Sequence, residues 1–250
     1  MATRILICND DGFDAPGIRA LERALLPLGE VVVVAPDAEQ SATSHSLTIR
    51  NPIEVKKVDE RHYRICGTPT DCIVMAMQVI LDTPPDLVVS GINHGPNMGE
   101  DVTYSGTVAA AFEGTILGVA SMAVSALQRT VEDAETNGRY ARLVAERVLA
   151  SGLEKGQLLN VNIPDPSRGA IRGVKITKLG SRAYFNFIEP SGKRPLQRFY
   201  TIGGDAPVWK DDDGSDIAAV RLGYVSVTPL NVDLTDYRAI VGMERWRFDT

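Results

Sequence analysis

Of 250 residues, only 3 are cysteine and 3 are histidine, and each scarcity closes off a class of chemistry. Cys8, Cys66 and Cys72 are an odd number without paired spacing, and Cys8 lies inside the apolar run Arg4-Ile5-Leu6-Ile7-Cys8, where it serves as a small hydrophobe. A disulfide framework and a cysteine zinc site are therefore not expected, and a reducing, cytoplasmic setting is. No apolar stretch reaches the ~18 residues of a membrane span. The first apolar run is broken by Asn9-Asp10-Asp11 and is too short for the core of a signal peptide. Positive charge is also in short supply: 26 Lys and Arg stand against 32 Asp and Glu, a net charge of -6. Such a balance argues against broad electrostatic binding to nucleic acid or anionic membrane, and no membrane or stable nucleic-acid partner is expected. A phosphorylated substrate would then need a local cation. Three motifs are missing as well. Neither a Gly-x-Gly-x-x-Gly after the first strand nor a Walker loop is present, and no Gly-x-Ser-x-Gly elbow supports a serine nucleophile.

What is present in the first half is an alternation of short β-branched runs and helical stretches, the pattern of a mostly parallel sheet covered on both faces. The reading is a single α/β domain over 1–250, three-layered and Rossmann-like, with a projecting arm at 181–215 that contains a C-terminal β-hairpin. Strands are expected at Arg4 to Cys8, Val31 to Ala35, Asp86 to Ser90, Ser121 to Leu127 and Leu158 to Ile163, then at 173–179 and 223–228. Helices are expected over Gly17 to Leu28, from Thr68 to about Leu81, from Gly106 to near Gly118 and over Ala134 to Leu149. Thr68-Pro69-Thr70-Asp71 reads as a capping box with proline at the first helical position. Residues 46–66 show period two at Ile53, Val55, Tyr63 and Ile65 and read as an antiparallel excursion. His62 falls within it and reads as a solvated side chain.

In open α/β sheets, ligands bind outside the carboxyl ends of the strands. The loops there carry Asn9-Asp10-Asp11-Gly12, then Pro36-Asp37 onward to Ser41, then Ser90-Gly91-Ile92-Asn93. Adjacent carboxylates leaving a buried strand repel each other and lose hydration, which a cation offsets. Oxygens of Asp10, Asp11, Ser41 and Asn93, with no patterned histidine or cysteine nearby, favour a hard ion such as magnesium, manganese or calcium over zinc, and magnesium or manganese would keep water positions open for a phosphate oxygen. A bland reading stands beside each residue: an Asp-Gly turn for Asp10 and Asp11, a self-bonded loop amide for Asn93. Tyr104-Ser105-Gly106-Thr107 opens a helix of very small residues and reads as a phosphate seat, with an ordinary Ser or Thr cap as the alternative.

Several long stretches now fall into a known pattern. Ile5 through Gly12, Val34 through Ser46, Gly67 through Cys72, Ser90 through Gly99, Ser105 through Ala111 and Gly223 through Leu230 together span nearly the whole chain. In these the chain resembles the SurE, or survival protein E, nucleotidases. The resemblance implies a divalent-metal-dependent phosphohydrolase acting on nucleoside 5'- or 3'-monophosphates, with short polyphosphate as a second substrate. It implies one magnesium or manganese ion per subunit on Asp10, Asp11, Ser41 and Asn93. It also implies a homodimer or homotetramer that exchanges C-terminal segments. Two departures flank the site: Ser44 stands where glycine is common and Tyr104 where many members carry histidine.

The mechanism expected has a water attacking in line while a metal offsets phosphate charge. Asp11 orients or deprotonates that water, with Asp10 beside it. Asn93, Asn97, Ser105, Gly106 and Thr107 contact the phosphate. Two rivals are an aspartyl phosphate on Asp10 and a regulatory nucleotide-binding module without turnover. Arg182, Tyr184, Phe185, Phe187, Lys193, Arg194, Arg198, Phe199 and Tyr200 admit a single-strand nucleic-acid reading, against which stands an arm packed on a neighbouring subunit.

Overall fold

The computed structural model describes residues 3–127, 134–183, 188–194, 196–202, 208–210 and 212–248. From its start the chain alternates strand and helix: β1 (Arg4–Cys8), α1 (Pro16–Leu25), β2 (Glu30–Pro36), β3 (Val55–Lys57), β4 (His62–Ile65), α2 (Pro69–Met75), β5 (Leu87–His94), α3 (Gly106–Ile116), β6 (Ser121–Ala126), α4 (Ala134–Ser151) and β7 (Gln157–Ile163). Short elements follow: β8 (Val174–Ile176), β9 (Arg182–Ala183), β10 (Ile188–Arg194), β11 (Gln197–Ile202), β12 (Val208–Trp209), α5 (Asp216–Arg221), β13 (Val225–Asn231) and α6 (Tyr237–Met243).

Successive side chains of a strand face opposite ways, and this sets the layers. Ile5 and Ile7 join a buried cluster with Ile18, Leu21 and Leu25 of α1 and Ala141, Val144 and Val148 of α4. Leu6 and Cys8 join the opposite cluster with Cys72 and Ile73 of α2 and Ala110 of α3. Cys8 is thus the buried small hydrophobe its position implied. Both faces of the strand are covered, which explains why β1 and β2 read as unbroken apolar runs.

The main sheet has nine strands in the order β3-β4-β2-β1-β5-β6-β7-β13-β8. β1 pairs in parallel with β2 on one side and with β5 on the other. From β1 the chain winds outward first one way and then the other, so the order reverses between β1 and β5. That reversal opens a crevice at the strands' carboxyl ends. β13 is antiparallel to β7 and parallel to β8.

The expected capping box is present: Thr68 Oγ1 accepts from the Asp71 amide, and Asp71 accepts from the Thr68 amide at 2.8 Å. The helix it starts closes in one π-type turn, Ala76–Ile80. The excursion is shorter than the period-two pattern implied. Only β3 and β4 form the antiparallel pair, and β4 lies parallel to β2 as part of the main sheet. Residues 46–48 take side-chain partners instead of a ladder, since the Thr48 amide and hydroxyl donate to Asp71 and Thr68 Oγ1 donates to the Ser46 carbonyl. His62 is not a solvated side chain: its Nε2 lies 2.8 Å from Glu22 Oε1 and its Nδ1 2.8 Å from Asp59 Oδ1.

β10 and β11 form the C-terminal hairpin, an antiparallel ribbon within the segment 181–215. Lys193, Arg194, Arg198, Phe199 and Tyr200 lie on it and are exposed. Tyr184, Phe185 and Phe187 lie outside the described residues, and of Arg182 only the backbone is described. Among the described residues no helix is long and apolar enough to cross a membrane.

Candidate metal centre

Asn9 leaves β1 into a tight turn, donating its side-chain amide to the Gly12 carbonyl at 2.9 Å, and Gly12 adopts a φ of +99° that side chains rarely tolerate. The Asp-Gly turn therefore exists and presents two carboxylates. Asp10 is only 5% exposed. Its Oδ2 accepts from the Thr107 amide at 3.0 Å and its Oδ1 from the Thr107 hydroxyl, so it seats on the N-terminus of α3, where the helix dipole favours negative charge. Burial nevertheless pushes its pKa up to about 6; the Thr107 hydrogen bonds oppose this and the charge of Asp11 adds to it. Asp11 is raised as well, again by burial first, with His94 opposing and Glu39 adding.

Gly106 allows this approach. A Cβ there would lie 2.9 Å from Asp10 Cβ, 3.0 Å from its Oδ2 and 3.1 Å from Pro69 Cγ. The hydroxyl of Ser105 caps α3 by accepting from the Val108 amide at 3.1 Å, which leaves its own proton free to donate. Ser105 is the cap that sequence alone allowed, and Thr107 gives its donors to Asp10.

Two more loops converge on the turn. The Gln40 amide donates to the Asp10 carbonyl at 2.7 Å and brings in the loop that carries Ser41. Ser41 is exposed, and its hydroxyl donates to Glu39 Oε1 at 2.6 Å, leaving oxygen lone pairs unused. Ala42 (φ 58°) and Ser44 (φ 53°) in this loop are left-handed. A non-glycine residue there costs about 1–3 kcal/mol. Ser44 is thus strained at a position where glycine would not be, and it is held by bonds from its amide to the Tyr104 carbonyl and from its hydroxyl to the Thr103 carbonyl.

At the end of β5 the register with β6 shifts between Ser90 and Asn93, the kind of irregularity that re-aims side chains beside a site. Helix α1 presses on this stretch, since a Cβ on Gly17 would lie 2.1 Å from the Ile92 carbonyl oxygen. The Asn93 side chain donates to the Gly95 carbonyl at 2.8 Å, so its Oδ1 remains as an acceptor. Next to it the His94 amide donates to Asp11 Oδ2 at 3.3 Å. Asn97 lies deeper. Its amide donates to Asn162 Oδ1, its carbonyl accepts from Asn160 and Asn162, and its side chain donates to Ser125.

The donor set suits a hard cation. Among the described residues no three His, Cys, Asp or Glu side chains gather as a metal-binding group; the oxygens near the two carboxylates belong to neutral side chains on the loops of Ser41 and Asn93, a donor type that hard cations accept. The raised pKa values of the buried Asp10 and the part-buried Asp11 point the same way, because a nearby cation favours the charged carboxylates and so opposes the burial that raises both. Asn9 Oδ1, beneath the turn, is buried without a protein partner.

Comparison with known proteins fits this geometry. The family described as "Survival protein SurE" matches residues 5–186. The "5'-nucleotidase SurE" of Aquifex aeolicus is 46% identical over 241 residues, 94% of each chain. That of Heliobacterium modesticaldum is 43% identical over 248 residues, 97% of this chain and 91% of that one. This chain belongs to the SurE family. A crystal structure of the SurE protein from Aquifex aeolicus superposes with a TM-score of 0.85 at 42% identity, covering 96% of this chain and 98% of that one. The SurE fold accordingly extends well beyond the 5–186 match, to β13 and the segment around it.

Set against the sequence reading, this SurE chain brings Asp10, Asp11, the Ser41 loop and Asn93 to one crevice through backbone contacts. Asn160 and Asn162, which fix Asn97, escaped that reading. Their signal was present: Asn160-Val161-Asn162 puts two amides on one face of an otherwise apolar strand.

Proposed function

We propose that this chain is a metal-dependent nucleotide phosphatase, a 5'-nucleotidase that releases phosphate from nucleoside monophosphates at the β1–β5 crevice. The observation that carries the site is the pair of adjacent carboxylates, Asp10 on the N-terminus of α3 and Asp11 on the His94 amide, at the point where strand order reverses. The names of the relatives from Aquifex aeolicus and Heliobacterium modesticaldum support the reaction.

Asp10, Asp11, Ser41 and Asn93 would hold one magnesium or manganese ion per subunit. When bound, that ion supplies positive charge to a phosphate oxygen and a site for water. Asp11, less buried than Asp10 and bonded on one oxygen, orients the attacking water. The amide of Gly106, at the first helical position with no intrahelical acceptor, donates to the phosphate, as do the free proton of Ser105 and the second side-chain N–H of Asn97. Thr107 acts by holding Asp10. Asn93 takes part through its Oδ1.

The cytoplasmic setting is part of the same proposal and is supported by three free cysteines, Cys8, Cys66 and Cys72. So is a homodimer or homotetramer built by exchanging C-terminal segments. Exposed Leu234, Tyr237, Val241, Trp246 and Phe248 in that segment support it.

The test is a phosphate-release screen of nucleoside 5'- and 3'-monophosphates and short polyphosphate, with magnesium and with manganese. Release from a 5'-monophosphate that depends on metal, and falls by orders of magnitude in Asp11→Asn, is expected. Nucleotide binding without release, or near-normal turnover by Asp11→Asn in metal-replete buffer, would overturn the assignment.

A further inference from the structure

We infer that His45 and Glu113 form a latch that positions Ser41 at the metal centre, a role that rests on the proposal that Ser41 is a metal ligand. Glu113 is 8% exposed on α3, and a carboxylate so placed requires a partner. His45 Nε2 lies 2.8 Å from its Oε2, and the His45 ring lies 6.1 Å from that of Phe112. The pair is remote from the chemistry: Glu113 is six residues past Thr107, about 9 Å along the helix axis. His45 is therefore a positioning residue that acts through its loop.

The loop needs such an anchor. Ser41 lies four residues before His45, and the left-handed Ala42 and Ser44 lie between them. Strained backbone persists only where its surroundings over-determine it. The Gln40 amide fixes one end on the Asp10 carbonyl. The Ser44 hydroxyl bond to Thr103 is exposed, as is that of Ser41 to Glu39, and both compete with water. Among the described residues, His45 is the side chain between Gln40 and Ser46 that reaches a buried charged group. Beyond it, Ser46 and Thr48 are tied to Thr68 and Asp71 at the α2 cap. Releasing the latch therefore leaves 41–45 held by the Ser44 bonds to Thr103 and Tyr104, which then open more often, and leaves the α2 cap in place.

The experiment compares wild type, Glu113→Gln and His45→Gln by hydrogen exchange of the metal-free protein and by Mn2+ titration. His45→Gln, on a part-exposed loop side chain, serves if Glu113→Gln does not fold. The latch predicts at least tenfold faster exchange at the Ser44 amide, which donates to the Tyr104 carbonyl, and no change at Thr48 or in α2. It also predicts about a tenfold higher Mn2+ Kd and a raised KM, with kcat at saturating Mn2+ within threefold of wild type. Adding Glu113→Gln to Ser41→Ala should raise the Mn2+ Kd little beyond Ser41→Ala alone. A lower melting temperature with loop exchange and Mn2+ Kd unchanged would overturn the latch. Failure of wild type to bind Mn2+ would overturn the metal reading instead, whatever the exchange pattern.

Discussion

The amide and the hydroxyl of Thr107 both donate to the carboxylate of Asp10, one to each oxygen, across 97 positions of sequence. The contact ties β1 to α3 and takes up both donors of Thr107, leaving the Gly106 amide and the Ser105 hydroxyl as the donors of this turn. Thr107→Val removes the hydroxyl while keeping its shape. If Asp10 is the metal ligand proposed above, support of this kind beneath it is worth about 10–100-fold in metal affinity or activity. The variant should fold and lose Mn2+ affinity and phosphate release in that range, measured by titration and phosphate assay.

Gly106→Ala separates helix propensity from site geometry. Alanine favours helix over glycine by about 1 kcal/mol, but its Cβ would lie 2.9 Å from Asp10 Cβ. The carboxylate must move. Calorimetry should show stability changed by less than about 2 kcal/mol, while Mn2+ binding weakens at least tenfold.

The pH response of the metal-free protein follows from Asp10. Its pKa is raised by burial to about 6, against about 3.9 for an exposed aspartate. A group raised in this way holds its proton more tightly when folded. Its stabilising contribution is complete below about pH 4 and is lost as pH rises through 6, an effect of order 3 kcal/mol. On this group's account, metal-free protein should melt lower at pH 7 than at pH 5. Excess Mn2+ at pH 7 should restore the melting temperature, and Asp10→Asn should flatten the pH 5–7 difference.

Asp71 anchors the far end of the Ser41 loop. Its carboxylate accepts from the amides of Thr48 and Thr68 and from the Thr48 hydroxyl. Asp71→Ala leaves these donors without their partner and removes half of a capping box. A loss of about 3 kcal/mol is expected from urea unfolding.

Much of this was legible in the residues. The strand-end rule placed Asp10, Asp11 and Asn93 where the crevice lies, because parallel strands buried on both faces leave continuous apolar runs that end at polar loops. Thr68 and Asp71 were legible because a capping box is local, its ends three positions apart. The Thr107–Asp10 contact was not, since no local spacing couples residues so far apart and either hydroxyl at 105 or 107 suits a cap. β4 beside β2 was hidden because period two shows that a strand exists and not which neighbour it takes. Helices α5 and α6 have 6 and 7 residues, too few for a helical periodicity to stand out. His62 misled because an imidazole on a short exposed-looking strand gives no hint that Glu22 will meet it from α1.

The central claim is that oxygens from three loops meet around one hard cation above β1 and β5. A crystal soaked in Mn2+ and measured at the manganese absorption edge tests it. One anomalous peak within about 2.5 Å of oxygens of Asp10, Asp11, Ser41 and Asn93 is predicted. A peak elsewhere, or one that touches Asp11 while Asn93 and Ser41 stay distant, would contradict it.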